Sequence, residues 1–239
     1  MRILEGDGII KNFGGLAAIT NVNFYINQGE ILGLIGPNGA GKTTLFNLMS
    51  GSLSLTSGVI RFKGENITDL KPHQICKRGM ARTFQLVKLF GNMTVLENIL
   101  LGSLFGTLTG IRQSNALEES LELLEFIGLS GMDGILAKDL TVANQKRLEV
   151  ARALATKPEL LLLDEFMAGL TPTEVSLAIG LIKKIRDKGI TVFMIEHVMK
   201  AMMSVSNRII VLHHGEKIAE GIPEEIATNP KVIEIYLGA

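Results

Sequence analysis

Apolar residues early in the chain fall in short runs broken by Gly and Asn. Ile3 to Lys11, Val22 to Ile26 and, after the turn Asn27-Gln28-Gly29, Ile31 to Ile35 read as strands rich in β-branched positions. The run Ile31 to Ile35 is nearly all apolar, which suits a strand buried on both faces, as in the parallel sheet of an α/β fold. Leu160 to Leu163 and Ile190 to Ile195 have the same character. Between them, Thr173 to Lys188 carries Val175, Ile179, Ile182 and Ile185 at helical spacing, with Pro172 near its start and Gly189 past its end. Strand, helix, strand predicts a βαβ unit. From about Met93 to Thr156 the period is helical instead: Ala116 to Ile127 carries Leu117, Leu121 and Leu124 ahead of Gly128, and Gln145 to Ala155 carries Leu148, Ala151 and Leu154 ahead of Pro158. This stretch predicts a helical lobe inserted into an α/β body, with Gly102 to Ser114 as a polar, glycine-containing link.

Directly after the buried strand comes the run Gly36, Pro37, Asn38, Gly39, Ala40, Gly41, Lys42, Thr43, which fits G-x-x-x-x-G-K-[ST], and the apolar-periodic run Thr44 to Met49 follows it. Glycines let the backbone curl so that successive N–H groups point inward. The following helix adds its positive end, which makes an anion cradle. Lys42 is expected to reach β- and γ-phosphates and Thr43 to place its hydroxyl on Mg²⁺; a glycine-rich turn with an incidental lysine is the alternative. The strand Leu160 to Leu163 ends in Asp164 and Glu165. Ligands of open α/β sheets collect at the carboxyl ends of the strands, so acids there land beside the phosphate loop. Asp164 is expected to hold Mg²⁺, directly or through water. Glu165, one step closer to the γ-phosphate, is expected to orient or deprotonate the attacking water. The competing reading is a strand that ends in solvated acids.

Composition bounds the partners. The chain has 239 residues, 46% of them hydrophobic, and 24 Lys and Arg balance 24 Asp and Glu. A neutral balance argues against a broad electrostatic grip on nucleic acid. Cys76 is the one cysteine, so an intrachain disulfide and a Cys-based zinc site are excluded, and a small, partly buried thiol is expected. No run approaches the ~18 apolar residues needed to cross a bilayer, which predicts a cytosolic or peripheral chain. Mean hydropathy is nevertheless +0.31 and there are 10 Met, so some apolar surface is expected to lie under a partner.

The motifs also occur in a particular order. After GPNGAGKTT come Gln85 in ARTFQ, the segment LTVANQKRLEVARAL, LLLLDE, AGLT at Ala168 to Thr171, and IEH ending at His197. In this series the chain resembles, over essentially its whole length, the nucleotide-binding subunits of ABC transporters. The stretches FGGLAAI, GMARTFQLVKLFGNMTVLENIL, RLEVARAL and NPKVIEIYLGA look most like the LivG-type ATPase of branched-chain amino acid importers. The resemblance implies an α/β P-loop NTPase (RecA-like) core with an N-terminal antiparallel β subdomain and an inserted α-helical subdomain. Residues 1–239 would then be a single nucleotide-binding domain, with 1–85 and 157–239 as the core and β subdomain and 86–156 as the helical subdomain. It implies ATP with Mg²⁺, Gly36 through Thr44 on the phosphates, and Gln85 as the Q-loop glutamine near Mg²⁺ or the lytic water. His197 would be the switch histidine on the γ-phosphate, and Phe13 an aromatic that stacks on adenine; for Phe13, a core phenylalanine is the rival reading. His213 and His214, in an expected hairpin turn, read as solvated rather than as metal ligands.

By the same resemblance, Leu140 to Gln145 is the signature segment, whose Thr141 and Ala143 cap the ATP held by a second subunit. This implies a head-to-tail homodimer, or a heterodimer with a sister ATPase, joined to integral membrane permease subunits and indirectly to a solute-binding protein. Leu86 to Leu96, apolar except for Lys88 among its charged types, is expected either to dock under a membrane subunit or to pack in the core. One departure stands out, because LTVANQ replaces the usual LSGGQ. A β-branched Val142 is costly if the first glycine has positive φ, and Ala143 adds a methyl where backbone should approach phosphate. Ala168 to Thr171, the D-loop by the same resemblance, ends in Thr171 rather than the common Asp. A weakened signature site is therefore expected, with turnover rising if Val142 and Ala143 become Gly. Alternatives are the ATPase of another ABC system (urea, amide or polar amino acid import, or lipopolysaccharide export) and a soluble ABC ATPase. A GTPase or small kinase is disfavoured, because no N-K-x-D guanine motif is present and the Gln85 to His197 series would go unexplained.

Overall fold

The computed structural model describes residues 1–105 and 113–237. Residues 106–112, most of the link expected at Gly102 to Ser114, lie outside the described residues. The chain opens with a long antiparallel pair, β1 (Arg2–Phe13) and β2 (Leu16–Asn27), and then enters β3 (Ile31–Ile35), the phosphate-loop segment and α1 (Lys42–Met49). β4 (Ser57–Phe62) and the two-residue β5 (Glu65–Asn66) complete a four-stranded sheet of order β2-β1-β4-β5. The short helix α2 (Pro72–Cys76) leads to β6 (Met80–Arg82). The helices α3 (Val95–Phe105), α4 (Gln113–Phe126) and α5 (Val142–Leu154) then follow before the chain returns through β7 (Leu160–Asp164). The βαβ unit appears as β7, α6 (Pro172–Asp187) and β8 (Thr191–Ile195). The rest is α7 (Met199–Val205), the hairpin β9 (Arg208–His213) and β10 (Glu216–Gly221), and the short helices α8 (Pro223–Thr228) and α9 (Pro230–Leu237).

The second sheet runs β10-β9-β3-β8-β7-β6, parallel throughout except for the β9–β10 hairpin. Strands β3, β7 and β8 are buried along their whole length because both faces are covered. Ile31, Leu161, Val192 and Ile209 join one core with the helical segment and α6, whereas Leu32, Leu160, Phe193 and Ile210 join another with α1 and the antiparallel sheet. Gly33 in the central strand permits a close approach, since a Cβ there would sit 2.4 Å from the Met202 sulfur on α7.

The topology also decides where chemistry collects. Strands β3, β8, β7 and β6 are adjacent and parallel, so their carboxyl ends open on one edge. The phosphate loop, Glu196-His197, Asp164-Glu165 and Thr83 to Gln85 leave from those four ends in turn.

Candidate functional site

The loop after β3 curls into α1 through Gly41, which caps the helix in a left-handed conformation with φ 102°. A side chain there would be strained, and its Cβ would meet the Ala18 carbonyl at 2.7 Å. The loop is braced from the side by the β9–β10 turn, where Gly215 N–H donates to the Ala40 carbonyl at 3.0 Å and the Gly215 carbonyl accepts from Thr20 at 2.8 Å. Lys42 is buried, and its ammonium donates to the carbonyls of Gly36 at 2.7 Å and Pro37 at 3.0 Å. Burial lowers its pKa, and the nearby Glu165 and Asp164 oppose that shift. Thr43 is exposed.

A cavity of about 480 Å³ opens above the loop, lined by Lys42, Thr43, Gln85, Glu165, His197 and, at its rim, Phe13. Phe13 is 46% exposed at the turn between β1 and β2, so it is not a core residue. The Lys11 ammonium lies 5.0 Å from its ring centre. His214 also borders the cavity, in the left-handed first position of the hairpin turn.

Glu165 is the centre of this edge. Its backbone is left-handed, φ 52°, a rare state for a residue with a side chain. Gln85 Nε2 donates to its Oε2 at 3.0 Å, and His197 Nε2 lies 2.9 Å from its Oε1. Residues far apart in sequence thus meet on one carboxylate. Asp164, by contrast, is nearly inaccessible. Its Oδ2 accepts from Arg82 at 2.9 Å, whereas Oδ1 is buried without a hydrogen-bond partner. Burial raises its pKa, and the Arg82 guanidinium opposes the shift. An orphaned carboxylate oxygen beside the loop fits a magnesium ligand. Among the described residues no group of three His, Cys, Asp or Glu could hold a metal.

The signature segment sits elsewhere, and neither Thr141 nor Ala143 lines this cavity. The helix starts at Val142 rather than at Gln145, with Thr141 as its N-cap accepting from Asn144 N–H at 3.3 Å. Val142 is not among the residues with positive φ; it lies in the first helical turn, 60% exposed, and the Ala143 side chain is buried. The strain expected of a β-branched residue with positive φ is therefore not met at Val142. The threonine that ends AGLT also has a local reason. Thr171 caps α6 in a capping box, its N–H donating to Glu174 at 2.8 Å while its hydroxyl accepts from Glu174 N–H.

Four charged residues at this edge escape the sequence reading. Besides bonding Asp164, Arg82 donates to Asn47 Oδ1 at 2.6 Å and Ser50 at 2.9 Å. Lys146, the residue after the signature segment, and Glu196, beside His197, are both buried, as is Glu149, whose Oε1 accepts from the Lys88 N–H. Glu149, between Leu148 and Val150, is the one of these whose sequence neighbours are both apolar.

The strip from Leu86 to Leu96 divides. Leu86 and Phe90 are 80% and 53% exposed, whereas Val95 is buried and Leu89 packs on the core. Beside Phe90 lies a largely apolar groove of about 450 Å³, walled by Pro72, Ile75, Cys76, Phe84 and Leu101. Cys76 is half-buried, and burial raises its thiol pKa. No helix among the described residues is long and apolar enough to cross a membrane.

A family model described as ABC transporter matches residues 19–168, and one described as branched-chain amino acid ATP-binding cassette transporter matches residues 216–239. The chain is 42% identical to the high-affinity branched-chain amino acid transport ATP-binding protein BraF of Pseudomonas aeruginosa, over 99% of this chain and 98% of the relative. It is equally identical, with the same coverage, to the corresponding protein LivG of Escherichia coli. A solved nucleotide-free ATP-binding cassette from an ABC transporter superposes with TM-score 0.90 at 32% identity, covering all of both chains. A dimeric post-hydrolysis cassette bound to ADP and Pi superposes with TM-score 0.83 at 26% identity, over 92% of this chain and 99% of that one.

Proposed function

The chain belongs to the ABC transporter family of ATP-binding cassettes, and we propose that it is the ATP-hydrolysing subunit of an importer for branched-chain amino acids. The solute follows from the names of the relatives, and the chemistry is supported by the site. The observation that carries the catalytic half is Glu165, whose carboxylate faces the cavity above the phosphate loop and is held by Gln85 and His197.

On this reading the loop amides and Lys42 bind the β- and γ-phosphates, with Lys42 exchanging its loop carbonyls for phosphate oxygens. Thr43 and the free oxygen of Asp164 would hold Mg²⁺, which supplies neutralising charge to those phosphates when bound. Glu165 orients the attacking water and takes its proton. His197 and Gln85 keep that carboxylate aimed and reach the γ-phosphate side of the cavity, and Phe13 at the rim stacks on adenine.

The start of α5 lies apart from the chain's own cavity, so it is free to cap a nucleotide on a second subunit. A helix N-terminus with a hydroxyl at Thr141 suits that anion. The dimeric relative bound to ADP and Pi supports the same assembly. Phe90 and the adjoining groove would receive a segment of the membrane permease, which makes the chain a peripheral subunit on the cytoplasmic side. Glu165→Gln is expected to slow ATP hydrolysis roughly 10²–10⁴-fold with ATP binding retained. Steady-state turnover and nucleotide-binding titration check this, and a normal rate would reject Glu165 as the base.

A further inference from the structure

Lys146 lies just over one turn into α5, is 7% exposed and points into the protein. Its ammonium donates to the carbonyls of Glu165 at 3.0 Å, Phe166 at 3.1 Å and Ala168 at 2.7 Å. An ammonium has three protons, and three converging carbonyls use them all. Glu196, 2% exposed at the end of β8, acts on the same loop: its Oε1 accepts from Met167 N–H at 2.7 Å. Four consecutive residues, Glu165 to Ala168, are thus held by a buried ammonium on three of their carbonyls and a buried carboxyl on an amide between them.

Packing alone does not account for this arrangement, because burying a lysine and a glutamate costs more than burying apolar residues of the same size. What the pair accompanies is strain. The loop begins with Glu165 at φ 52°, a state that persists only where its surroundings enforce it. Its own backbone bonds, Glu165 N–H to the Ile195 carbonyl and Ala168 N–H to the Glu165 carbonyl, leave the Phe166 and Ala168 carbonyls for Lys146.

We propose that Lys146 is a positioning residue for ATP hydrolysis: it holds the loop in the turn that aims Glu165 at the nucleotide, and it ties that loop to the signature segment on the same helix. The proposal rests on the assignment of Glu165 as the base. Thr141 stands at the N-cap of the helix that carries Lys146. A shift of α5 on capping a second subunit's nucleotide is therefore passed to the chain's own catalytic carboxylate. The two composite sites of the dimer are linked within each subunit.

The test uses the purified full-length chain and four variants: K146M, K146M/E196Q, E165Q and E165Q/K146M. K146M is expected to lower kcat about 10–100-fold with the KM for ATP within about threefold, because a misaimed group loses rate more than binding. E196Q, added to K146M, replaces the buried acid that has lost its cation with a neutral amide of the same shape; the melting temperature should recover while kcat stays low. The neutral pair also serves where K146M alone does not fold. E165Q/K146M is expected to be no more than about twofold slower than E165Q. Recovery of kcat together with melting temperature would show a merely structural lysine and overturn the proposal, as would losses that multiply in E165Q/K146M. A slow E165Q beside a K146M of wild-type rate overturns the proposal alone, whereas a wild-type rate in E165Q removes the base assignment and the proposal together.

Discussion

Among single residues, the motif positions were legible and the groups that hold them were not. Lys42, Asp164, Glu165 and His197 stand at fixed places in recognisable runs, so sequence alone nominates them. Arg82 bonds a carboxylate 82 positions away, and Lys146 serves carbonyls about 20 positions on. Neither spacing follows a local period, so only the folded chain reveals these contacts. Glu196 adds a pH dependence of its own. Burial pushes its carboxyl up to about 7 from 4.5, opposed by the Met167 amide and Lys146 and reinforced by Glu165. The folded protein therefore keeps a proton that the unfolded chain has released, and the stability linked to it is present below about pH 4.5 and lost as pH rises through about 7. Lys146 from α5, Glu165 from the facing loop and the neighbouring His197 are the charged or titratable groups around it. In E196Q the melting temperature, compared with wild type, should rise progressively between pH 5 and 7.5; thermal melts across that range, parallel for the two proteins, would contradict this.

For whole elements, the apolar strands and the α6 helix were readable because burial on both faces, and a proline-to-glycine frame, leave direct marks on composition. The beginning of α5 was not. The spacing of Leu148, Ala151 and Leu154 placed its start at Gln145, yet Thr141 can cap a helix from Val142 onward, and the chain takes that option. The consequence reverses the sequence-based expectation for V142G/A143G. Two glycines in the first turn each cost roughly 0.5–1 kcal/mol of helix stability and relieve no strain, since Val142 has no left-handed backbone. The variant is expected to melt a few degrees lower with turnover unchanged or reduced, checked by calorimetry and steady-state hydrolysis; a clear gain in turnover would restore the idea of a weakened segment. Thr171 makes the same point for α6, where a capping box accounts for the residue at the end of AGLT.

Considered as one molecule, the neutral and rather apolar composition finds part of its explanation in Leu86, Phe90 and the groove beside them. If a permease segment seats there, Phe90→Asp should strongly reduce recovery of the chain with membrane subunits in a detergent pull-down, because a carboxylate cannot be desolvated against an apolar partner without large cost. Undiminished co-purification would move the docking surface elsewhere. The sequence by itself determined the phosphate loop, the acid-ending strand, the α/β class with a helical insertion, and the order of motifs that marks the family, because each depends on residue type at short fixed spacing. Tertiary structure alone decided that four motif segments leave adjacent parallel strands at one edge, that Glu165 sits between Gln85 and His197, and that Lys146 and Glu196 grip the loop behind it. Those facts depend on strand order and on contacts between distant residues, which local patterns do not encode.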